Sequence, residues 1–354
     1  MYAGTHGPGV FVTASGTSPT WVLRSTGLTG IIPWEVAADP DEPTRAYSVT
    51  DGSGLFRTTN GGQTWETMSV AGWEYGTTAV VIKKPVTNTV YIGVPNGLAY
   101  STNNGETWLV NNIPAIGNNR PEAIAVHPVT STILYVGLWE TTSNTGSVWK
   151  HDNGWTVLPI IMTGTISPVK ALVCLSGGTL LAGTQGAGVY RSTDGGLTWG
   201  QANGGLLSQN VNHLIFNGDK VWAGLVNGVA VSTDRGQTWA NLSNGLNGNG
   251  VRRLARDPLN DNILYAATPN GLYHTLNAGQ NWTLEAGPFA GVNVSSVGTT
   301  KDDDQTIVYA ATWGGMKTTG ASLKTQASTY LAAGVYRRNT NWHHIYLPLV
   351  SKNR

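Results

Sequence analysis

The stretch Ser192-Thr193-Asp194-Gly195-Gly196-Leu197-Thr198-Trp199 decides the fold, because the chain repeats it at nearly constant spacing. Segment 232–239 has the same pattern, in which a hydroxyl residue, an acid, a glycine and a tryptophan keep fixed positions. Three further segments keep the pattern with Asn in place of Asp: 58–65, 101–108 and 275–282. The tryptophans that end these and two weaker copies lie 40 to 47 residues apart, at Trp21, Trp65, Trp108, Trp155, Trp199, Trp239 and Trp282. An eighth copy ends at Trp342, after an insertion.

The repeated pattern is typical of a tight turn. A short Asp or Asn side chain accepts hydrogen bonds from backbone N–H groups, and the glycine supplies a positive φ. The tryptophan then covers the hairpin with a large apolar face. The sequence therefore predicts structural turns, without a catalytic role, at Asn60, Trp65, Asn103, Trp108, Asp194, Trp199, Asp234, Trp239, Asn277 and Trp282.

Short apolar segments precede each of these turns. Examples are 133–137, with a Tyr-x-Gly pattern, and 188–191, with a Gly-hydrophobic-Tyr pattern. Such segments of four to six residues, rich in β-branched and aromatic residues and bounded by turn residues, are typical of strands. Four strands every 40 to 45 residues is the period of a propeller blade. We predict an all-β fold: a single β-propeller domain of four-stranded antiparallel blades over residues 1–354.

The composition agrees with this fold and excludes several other classes. Charged residues make up only 12% of the 354 residues, and 46 are glycine. Plentiful aromatics and a net charge of +1 exclude a disordered chain. Because 21 Lys and Arg nearly balance 20 Asp and Glu, nucleic acid is not predicted as a partner. No run approaches the roughly 18 apolar residues of a spanning helix. The single cysteine, Cys174, lies in an apolar stretch and is predicted to be buried.

The five good copies resemble the Asp-box, or BNR, repeat of sialidases, sortilin-type receptors, xyloglucan-cleaving glycosidases and photosystem II assembly-factor-like proteins. The resemblance covers essentially the whole chain. It implies that the boxed turns are structural and lie away from the ligand face, so that Asp194 and Asp234 form turns and are not catalytic acids. The chain departs from two of these groups, since it lacks the Arg-Ile-Pro signature of sialidases and holds one ring where the xyloglucan-cleaving enzymes have two.

The sequence leaves the closure of the ring open. The first unit lacks an innermost strand, and the apolar tail Ile345–Val350 is expected to supply it, which closes an eight-bladed ring. Alternatively, the strand near Val294–Val297 completes the first blade, which gives seven blades and an extra hairpin. The tail, 345–354, can also pair with a neighbouring molecule and produce a homo-oligomer or polymer. Segment 314–333 is predicted to be an inserted loop.

Aromatic and acidic residues make up the candidate ligand site. Loops between the fourth and first strands and between the second and third strands converge on one face of such a ring. On these loops we place Trp34, Glu35, Trp73, Glu74, Tyr75, Trp139, Glu140 and Trp313, together with Arg24, Asp51, Arg120 and Arg252. Aromatic rings stack on sugars and carboxylates accept hydrogen bonds from hydroxyls. A pair of carboxylates about 5–10 Å apart can also hydrolyse a glycosidic bond. The same aromatic residues can instead pack between blades.

We therefore predict a non-enzymatic scaffold, extracellular or at the cell surface, that binds a protein or a glycan. The alternative is a lectin or glycoside hydrolase that uses Glu35, Glu74 or Glu140. The resemblance alone implies a third function, assembly of a membrane complex. No cofactor or metal site is predicted, because Asp302–Asp304 fits a solvated turn and no catalytic motif is present. Residues 1–30 show no signal peptide.

Overall fold

The computed structural model describes the greater part of the chain. The described residues are 11–12, 32–51, 54–70, 80–83, 89–95, 97–113, 120–130, 132–140, 145–158, 167–285, 289–303, 305–313, 315–316, 330–331 and 334–340. Their regular structure consists of thirty strands and one 3₁₀ turn, Ser176–Gly178. No helix in this part of the chain is long and apolar enough to cross a membrane.

The strands follow one another in short hairpins. The first thirteen are β1 (Phe11–Val12), β2 (Ile32–Ala38), β3 (Ala46–Asp51), β4 (Gly54–Thr58), β5 (Glu66–Met68), β6 (Val80–Lys83), β7 (Thr89–Val94), β8 (Gly97–Ser101), β9 (Leu109–Asn112), β10 (Arg120–Val126), β11 (Leu134–Glu140), β12 (Thr145–His151) and β13 (Trp155–Leu158). The next twelve are β14 (Val169–Cys174), β15 (Leu180–Thr184), β16 (Val189–Ser192), β17 (Gly200–Gln201), β18 (Val211–Asn217), β19 (Lys220–Leu225), β20 (Gly228–Ser232), β21 (Ala240–Asn241), β22 (Arg253–Arg256), β23 (Leu264–Thr268), β24 (Gly271–Thr275) and β25 (Thr283–Leu284). The last five are β26 (Asn293–Asp302), β27 (Gln305–Trp313), β28 (Gly315–Met316), β29 (Tyr330–Leu331) and β30 (Gly334–Thr340).

Six wholly antiparallel blades take their four strands in chain order. Blade 1 is β2–β5, blade 2 is β6–β9, blade 3 is β10–β13, blade 4 is β14–β17, blade 5 is β18–β21 and blade 6 is β22–β25. A further four-stranded sheet, the closing sheet, has the order β26-β27-β30-β1 and is mixed, because β1 pairs parallel with β30. The first strands of neighbouring sheets contact each other all round the molecule, and β26 contacts β2. The fold is thus a single β-propeller.

The prediction of eight antiparallel blades is wrong for the described residues. They form six such blades and the mixed closing sheet. The seven-blade alternative is not found as stated either, because the strand at Val294–Val297 pairs with β27 and not with a hairpin of the first unit. The error has a physical cause: the N-terminal unit contributes β1 to the sheet that the last unit begins. The tail 345–354 lies outside the described residues. Within the predicted insertion 314–333, β28 and β29 pair antiparallel.

Hydrophobic clusters lie between neighbouring sheets. One cluster joins Phe56 and Trp65 of blade 1 to Tyr309 of the closing sheet, and these side chains are buried. The hydroxyl of Tyr309 donates a hydrogen bond to the carbonyl of Pro43 at 2.7 Å, and that of Ser295 donates to the carbonyl of Pro33 at 2.6 Å. The joint between the two ends of the chain is therefore packed and hydrogen-bonded like the other blade interfaces.

The boxed tryptophans fill the outer part of these interfaces. Trp239 of blade 5 packs in a cluster with Leu181 and Val189 of blade 4, and its indole Nε1 donates to the carbonyl of Ala202 at 2.8 Å. Trp282 of blade 6 repeats this bond to the preceding blade. Truncation of a buried tryptophan costs about 3–5 kcal/mol, so each of these rings contributes substantially to the stability of an interface.

The turns themselves have the predicted geometry. In blade 5 the carboxylate of Asp234 accepts a bond from the backbone N–H of Thr238 at 2.9 Å, and Ser232 Oγ accepts from Gly236 N at 2.7 Å. Gly236 has φ +80°. The Asn variant works equally well, since Asn60 Oδ1 accepts from the backbone of Thr64 while its Nδ2 donates to the Thr64 hydroxyl. By strand order the turns lie on the face opposite to the starts of the first strands.

A glycine in the second strand, preceded two residues earlier by Tyr, Trp or Leu, marks close contact between blades. A Cβ added at Gly183 of β15 meets Val211 Cγ1 of blade 5 at 2.5 Å, and one added at Gly137 of β11 meets Val169 Cγ1 of blade 4 at 2.6 Å. Gly224 faces Val251 in the same way. The glycine therefore lets the first strand of the following blade approach the second strand of its neighbour.

We expect Gly183→Ala to destabilise the protein by about 1–3 kcal/mol, the usual effect of overpacking a close contact. Chemical denaturation followed by tryptophan fluorescence measures the change. Gly200→Ala is the matched control, because a Cβ at Gly200 meets no atom within 4 Å. Equal stability of the two variants would contradict the proposed role of the pattern.

The boxed aspartates give a second prediction. Desolvation raises the pKa of the Asp234 carboxyl, but the hydrogen bonds from Ser232, Thr238 and Gln237 together outweigh it and lower the pKa from 3.8 to about 2. A carboxyl whose pKa is lower in the folded chain stabilises it above the unfolded pKa, and that contribution disappears as the pH falls from about 4 toward 2. Asp234→Asn should therefore lose less stability over this range than the wild type in urea unfolding.

The reciprocal variant Asn277→Asp tests the same argument in blade 6. Its box keeps the bond from the first hydroxyl, with Thr275 Oγ1 at 2.8 Å from Asn277 Oδ1, and the backbone bond from Asn281 N at 2.9 Å, whereas Asn281 replaces the threonine whose hydroxyl bonds to Asp234. We expect this variant to gain sensitivity to acid below pH about 4. Unchanged acid sensitivity in both variants would show that the boxed carboxylates add nothing to stability.

Candidate functional site

A β-bulge interrupts the first strand of a blade at one recurring level. The pairing shifts between Pro33 and Glu35 in β2, which leaves Trp34 as the additional residue. Corresponding shifts occur in β10, β14, β18 and β26, and the additional residues there are Glu122, Lys170, Asn212 and Ser295. Blade 6 shows the same irregularity at Arg252. The N–H of Arg252 donates to the carbonyl of Ala267, although Ala267 is paired with the next residue, Arg253. Bulges turn side chains out of the regular alternation and are common beside functional sites.

These residues lie where the innermost strands start, near the centre of the ring. We call them, with the residue that follows each, the bulge ring: Trp34, Glu35, Glu122, Ala123, Lys170, Ala171, Asn212, His213, Arg252, Arg253, Ser295 and Ser296. The charged members are two acids and three cations. Among the described residues no group of three or more His, Cys, Asp and Glu lies close enough to hold a metal ion.

An ion pair spans the closing sheet within the bulge ring. Arg253 Nη2 of blade 6 lies 3.2 Å from Glu35 Oε2 of blade 1, and both side chains are more than four-fifths buried. The other terminal nitrogen of Arg253 donates to the carbonyl of Asn212 in blade 5 at 3.3 Å. The small residues Ser295 and Ser296 of the closing sheet leave room for this contact. One guanidinium thus connects three blades.

A second cluster joins blades 3 and 4. Lys170 Nζ lies 3.2 Å from Glu122 Oε2 and 4.4 Å from the centre of the Trp139 ring. The carboxylate and the aromatic face both attract this partly buried cation, the first by a charged hydrogen bond and the second by a cation–π interaction. Lys170 is therefore held at the mouth of the ring.

His213 lies beside the first ion pair. Its Nδ1 accepts the backbone N–H of Leu254 at 3.1 Å. Burial, and then the charge of Arg253, lowers the pKa of His213 well below the usual value of 6.5. The imidazole is therefore neutral at pH 7, with its proton on Nε2. Burial also lowers the pKa of Arg252 from its ordinary value.

The neutral members connect neighbouring blades. Asn212 Nδ2 donates to the carbonyl of Val251 at 2.9 Å, and Ser295 Oγ donates to the carbonyl of Pro33. In both cases the bulged side chain reaches the first strand of the following blade. The bulge ring is thus a belt of polar contacts between innermost strands as well as a polar surface.

The structure places most of the predicted site residues that it describes in strands and not in loops, whereas Arg252 lies just before β22. Trp34 and Glu35 belong to β2, Trp139 and Glu140 end β11, and Trp313 ends β27. The prediction of loop positions was wrong because these strands extend further toward this face than the turn residues indicate. Residues 73–75 and Arg24 lie outside the described residues. Asp51 ends β3 and Arg120 begins β10.

Two of the predicted residues lie in the clusters described above. Glu35 pairs with Arg253, and Trp139 lies under Lys170. Trp34 is 42% exposed. Glu35 contacts an arginine that lies 218 residues further along the chain.

Sequence reasoning missed Glu122, Lys170, Asn212 and His213. A signal does exist, because Glu122, Lys170 and Asn212 each follow a valine or proline at the start of a first strand, as in Pro121-Glu122-Ala123 and Val169-Lys170-Ala171. In blades 3, 4 and 5 a polar residue at this point breaks the apolar run. Alignment of the units on their second strands, and not on their tryptophans, would have found it.

Comparisons with known proteins indicate the fold. No protein-family model matches the chain, and no curated protein matches it. Among solved structures, YCF48 bound to D1 peptide is similar with a TM-score of 0.63 and 17% sequence identity, over 96% of this chain and 100% of that chain. YCF48 from Cyanidioschyzon merolae gives a TM-score of 0.58 at 14% identity, over 87% of this chain and 95% of that chain.

An extracellular domain of a bacterial two component system is similar to the same degree. The extracellular domain of the hybrid two component system BT4673 from B. thetaiotaomicron gives a TM-score of 0.62 at 13% identity, over 89% of this chain and 39% of that chain. Identities this low support a shared β-propeller fold and no shared activity.

The environment of His213 gives a testable prediction. Because the pKa of His213 is lower in the folded chain than in the unfolded chain, stability should fall as the pH drops below about 6.5. Long-range ¹H–¹⁵N NMR should show its Nδ1 unprotonated at pH about 5, where a free histidine is charged. His213→Gln should make stability less dependent on pH in this range. A titration midpoint near 6.5 for His213 would contradict its assignment as a buried neutral base.

Proposed function

We propose that this protein is a non-enzymatic scaffold that binds an extended polypeptide at the bulge ring. One observation carries the proposal: the innermost strands bulge at one level and bring side chains of both charges to the mouth of the ring. Loops and strand ends held by a rigid frame are typical places for binding residues.

The chemistry of the bulge ring favours binding over acid catalysis. Glu35 and Glu122 each contact a cation, at 3.2 Å in both cases. A carboxyl that donates a proton in glycoside hydrolysis lies instead in an apolar setting that favours its neutral form. Partly buried pairs of opposite charge can exchange partners with charged side chains of a ligand, which gives selectivity without a reaction.

A polypeptide suits this surface better than a small molecule. Trp34 offers a half-exposed aromatic face, while Lys170 and Glu122 offer opposite charges on neighbouring blades. An extended peptide presents alternating side chains and main-chain groups that such a mixed surface can bind. The similar structure of YCF48 bound to D1 peptide supports this class of partner, although at 17% identity the comparison carries only the fold.

We also infer that the boxed turns belong to the Asp-box repeat and that the protein is extracellular or at the cell surface. The hydrogen bonds of Asp194, Asp234 and their Asn counterparts support the first inference. The low content of charged residues and the likeness to the extracellular domain of a two component system support the second. Self-association through the C-terminal tail stays a prediction of the sequence.

The experiment is a selection of random peptides displayed on phage against the immobilised full-length protein. Peptides that the wild type enriches are then synthesised, and their dissociation constants are measured for Lys170→Gln and Arg253→Gln. A lost charged hydrogen bond costs about 1.5–3 kcal/mol, so we expect affinity to fall about tenfold or more. The control is Lys150→Gln, which removes a lysine from the ion pair with Asp152 on the face of the boxed turns.

The outcomes separate the two classes of ligand. Enrichment of peptides whose affinity depends on Lys170 or Arg253 but not on Lys150 supports the proposal. Failure to enrich peptides, together with binding of oligosaccharides on a glycan array, would overturn it in favour of the carbohydrate alternative. Equal effects of all three substitutions would place the binding surface elsewhere.

A further inference from the structure

The charged residues at the mouth of the ring are divided between its two halves. The mouth is the level at which the first strands start and the second strands end, so it contains the bulge ring. In the described residues of blades 1–3, four acids lie at this level: Glu35, Asp51, Glu122 and Glu140. One cation, Arg120 at the start of β10, accompanies them. This half of the mouth is therefore acidic.

Blades 4–6 carry the opposite charge at the same level. Their cations there are Lys170, Arg252 and Arg253. The second strands of these blades end in neutral residues, Thr184, Leu225 and Thr268. Because segment 167–285 is described without a gap, this census of the three blades is complete.

The acids of segment 167–285 do not offset these cations. Its one glutamate, Glu285, is 2% exposed, and its Oε1 lies 3.2 Å from His274 Nδ1. Its five aspartates lie in turns at the opposite face: Asp194, Asp219, Asp234, Asp257 and Asp261. Within blades 4–6, the exposed part of the mouth therefore presents cations only.

The two ion pairs of the bulge ring lie at the boundaries between the halves. Glu122 of blade 3 contacts Lys170 of blade 4, and Glu35 of blade 1 contacts Arg253 of blade 6, with N–O distances of 3.2 Å in both cases. The closing sheet, between blades 6 and 1, contributes neutral serines at this level. The charge of the mouth thus changes sign at two places, and an acid is paired with a cation at each.

Exposed apolar side chains accompany the cations. Leu207 precedes the first strand of blade 5 and Val226 follows its second strand, and they are 57% and 46% exposed. Asn227 Nδ2 donates to the carbonyl of Leu207 at 3.3 Å, which joins the two loops. A Cβ added at Gly250 meets the carbonyl oxygen of Val226 at 2.6 Å, so the chain just before Arg252 packs against the same loop. The basic half therefore offers apolar contacts beside its positive charge.

We propose that the ligand of the bulge ring is an extended peptide whose basic and acidic residues are segregated into two halves. Its basic half lies on blades 1–3, and its acidic half, which also carries apolar residues, lies on blades 4–6. Complementary charges fix the register of a partner and suppress wrong partners more than they raise affinity. The assignment rests on the peptide-binding function proposed above and adds the class of peptide.

The polarity of the mouth is measurable without any peptide. Small cationic and anionic nitroxides relax backbone amides in NMR according to the sign of the local electrostatic potential. In the full-length protein at low salt, we expect the cationic probe to relax the Glu140 amide more than the anionic probe does, and the reverse at the Asn227 amide. The difference should shrink at 1 M salt, where the Debye length is about 3 Å. Equal ratios at the two amides would overturn the proposal, whatever peptides the protein binds.

The peptides that the wild type enriches on phage test the ligand class. We expect enriched sequences to carry lysine or arginine in one half and aspartate or glutamate in the other. The matched control is a synthetic peptide of the same composition in which acidic and basic residues alternate. Its dissociation constant should be about tenfold larger, because it cannot place both charges on their complementary halves.

Double-mutant cycles locate the two halves of the ligand. Glu140→Gln on blade 3 should weaken binding only while the basic half of the peptide is charged. Arg252→Gln on blade 6 should weaken it only while the acidic half is charged. Each effect should be about fivefold, the upper range for partly exposed charge pairs. Lys150→Gln, on the face of the boxed turns, should couple to neither half.

The outcomes distinguish this proposal from the function on which it rests. Peptides whose affinity depends on Lys170 or Arg253, but which bind equally well with segregated and alternating charges, would retain peptide binding and refute the ligand class. Peptides that need charges of one sign only, or couplings that place the basic half on Arg252, would refute it as well. If no peptide binds, the function and the ligand class fail together, while the nitroxides still decide the polarity of the mouth.

Discussion

Burial of both faces of every sheet is the constraint on which the structure depends. A four-stranded sheet of such short strands has too little surface to be stable alone, and it acquires a core only between two neighbours. The contact of Gly183 with Val211 and the packing of Trp239 on blade 4 are the two ends of one such interface, near the axis and near the rim. A ring is the arrangement in which no sheet lacks a neighbour, so the two chain ends must meet.

The same constraint explains why the polar residues collect at the bulges. Close packing fixes the first strands side by side, and regular alternation would turn every second side chain into an apolar interface. A bulge releases one residue per strand from this alternation. At the bulges, Glu122 and Lys170 contact each other and Asn212 contacts the carbonyl of Val251 in the next blade. These contacts give their polar groups partners where little water can reach them.

The fold was largely predictable from the sequence, because its decisive signals are local. The box at 192–199 specifies a turn from its own eight residues, and a tryptophan and short apolar segments recur at nearly constant spacing along the sequence. The blade count was not predictable, since it depends on pairing between Phe11–Val12 and Tyr336–Arg337, which are more than 300 residues apart. The site was predicted only in part. Trp34, Glu35 and Trp139 were named, but their partners Arg253 and Lys170 come from other blades, and no local pattern links them.

Closure by β1 has a consequence for the stability of the ring. The ion pair between Glu35 and Arg253 joins blades 1 and 6 directly, across the sheet that β1 completes. The hydrogen bonds of Ser295 and Tyr309 attach that sheet to blade 1 through β26 and β27, and none of them involves β1. The innermost joint of the ring is therefore independent of the strand at its outer edge.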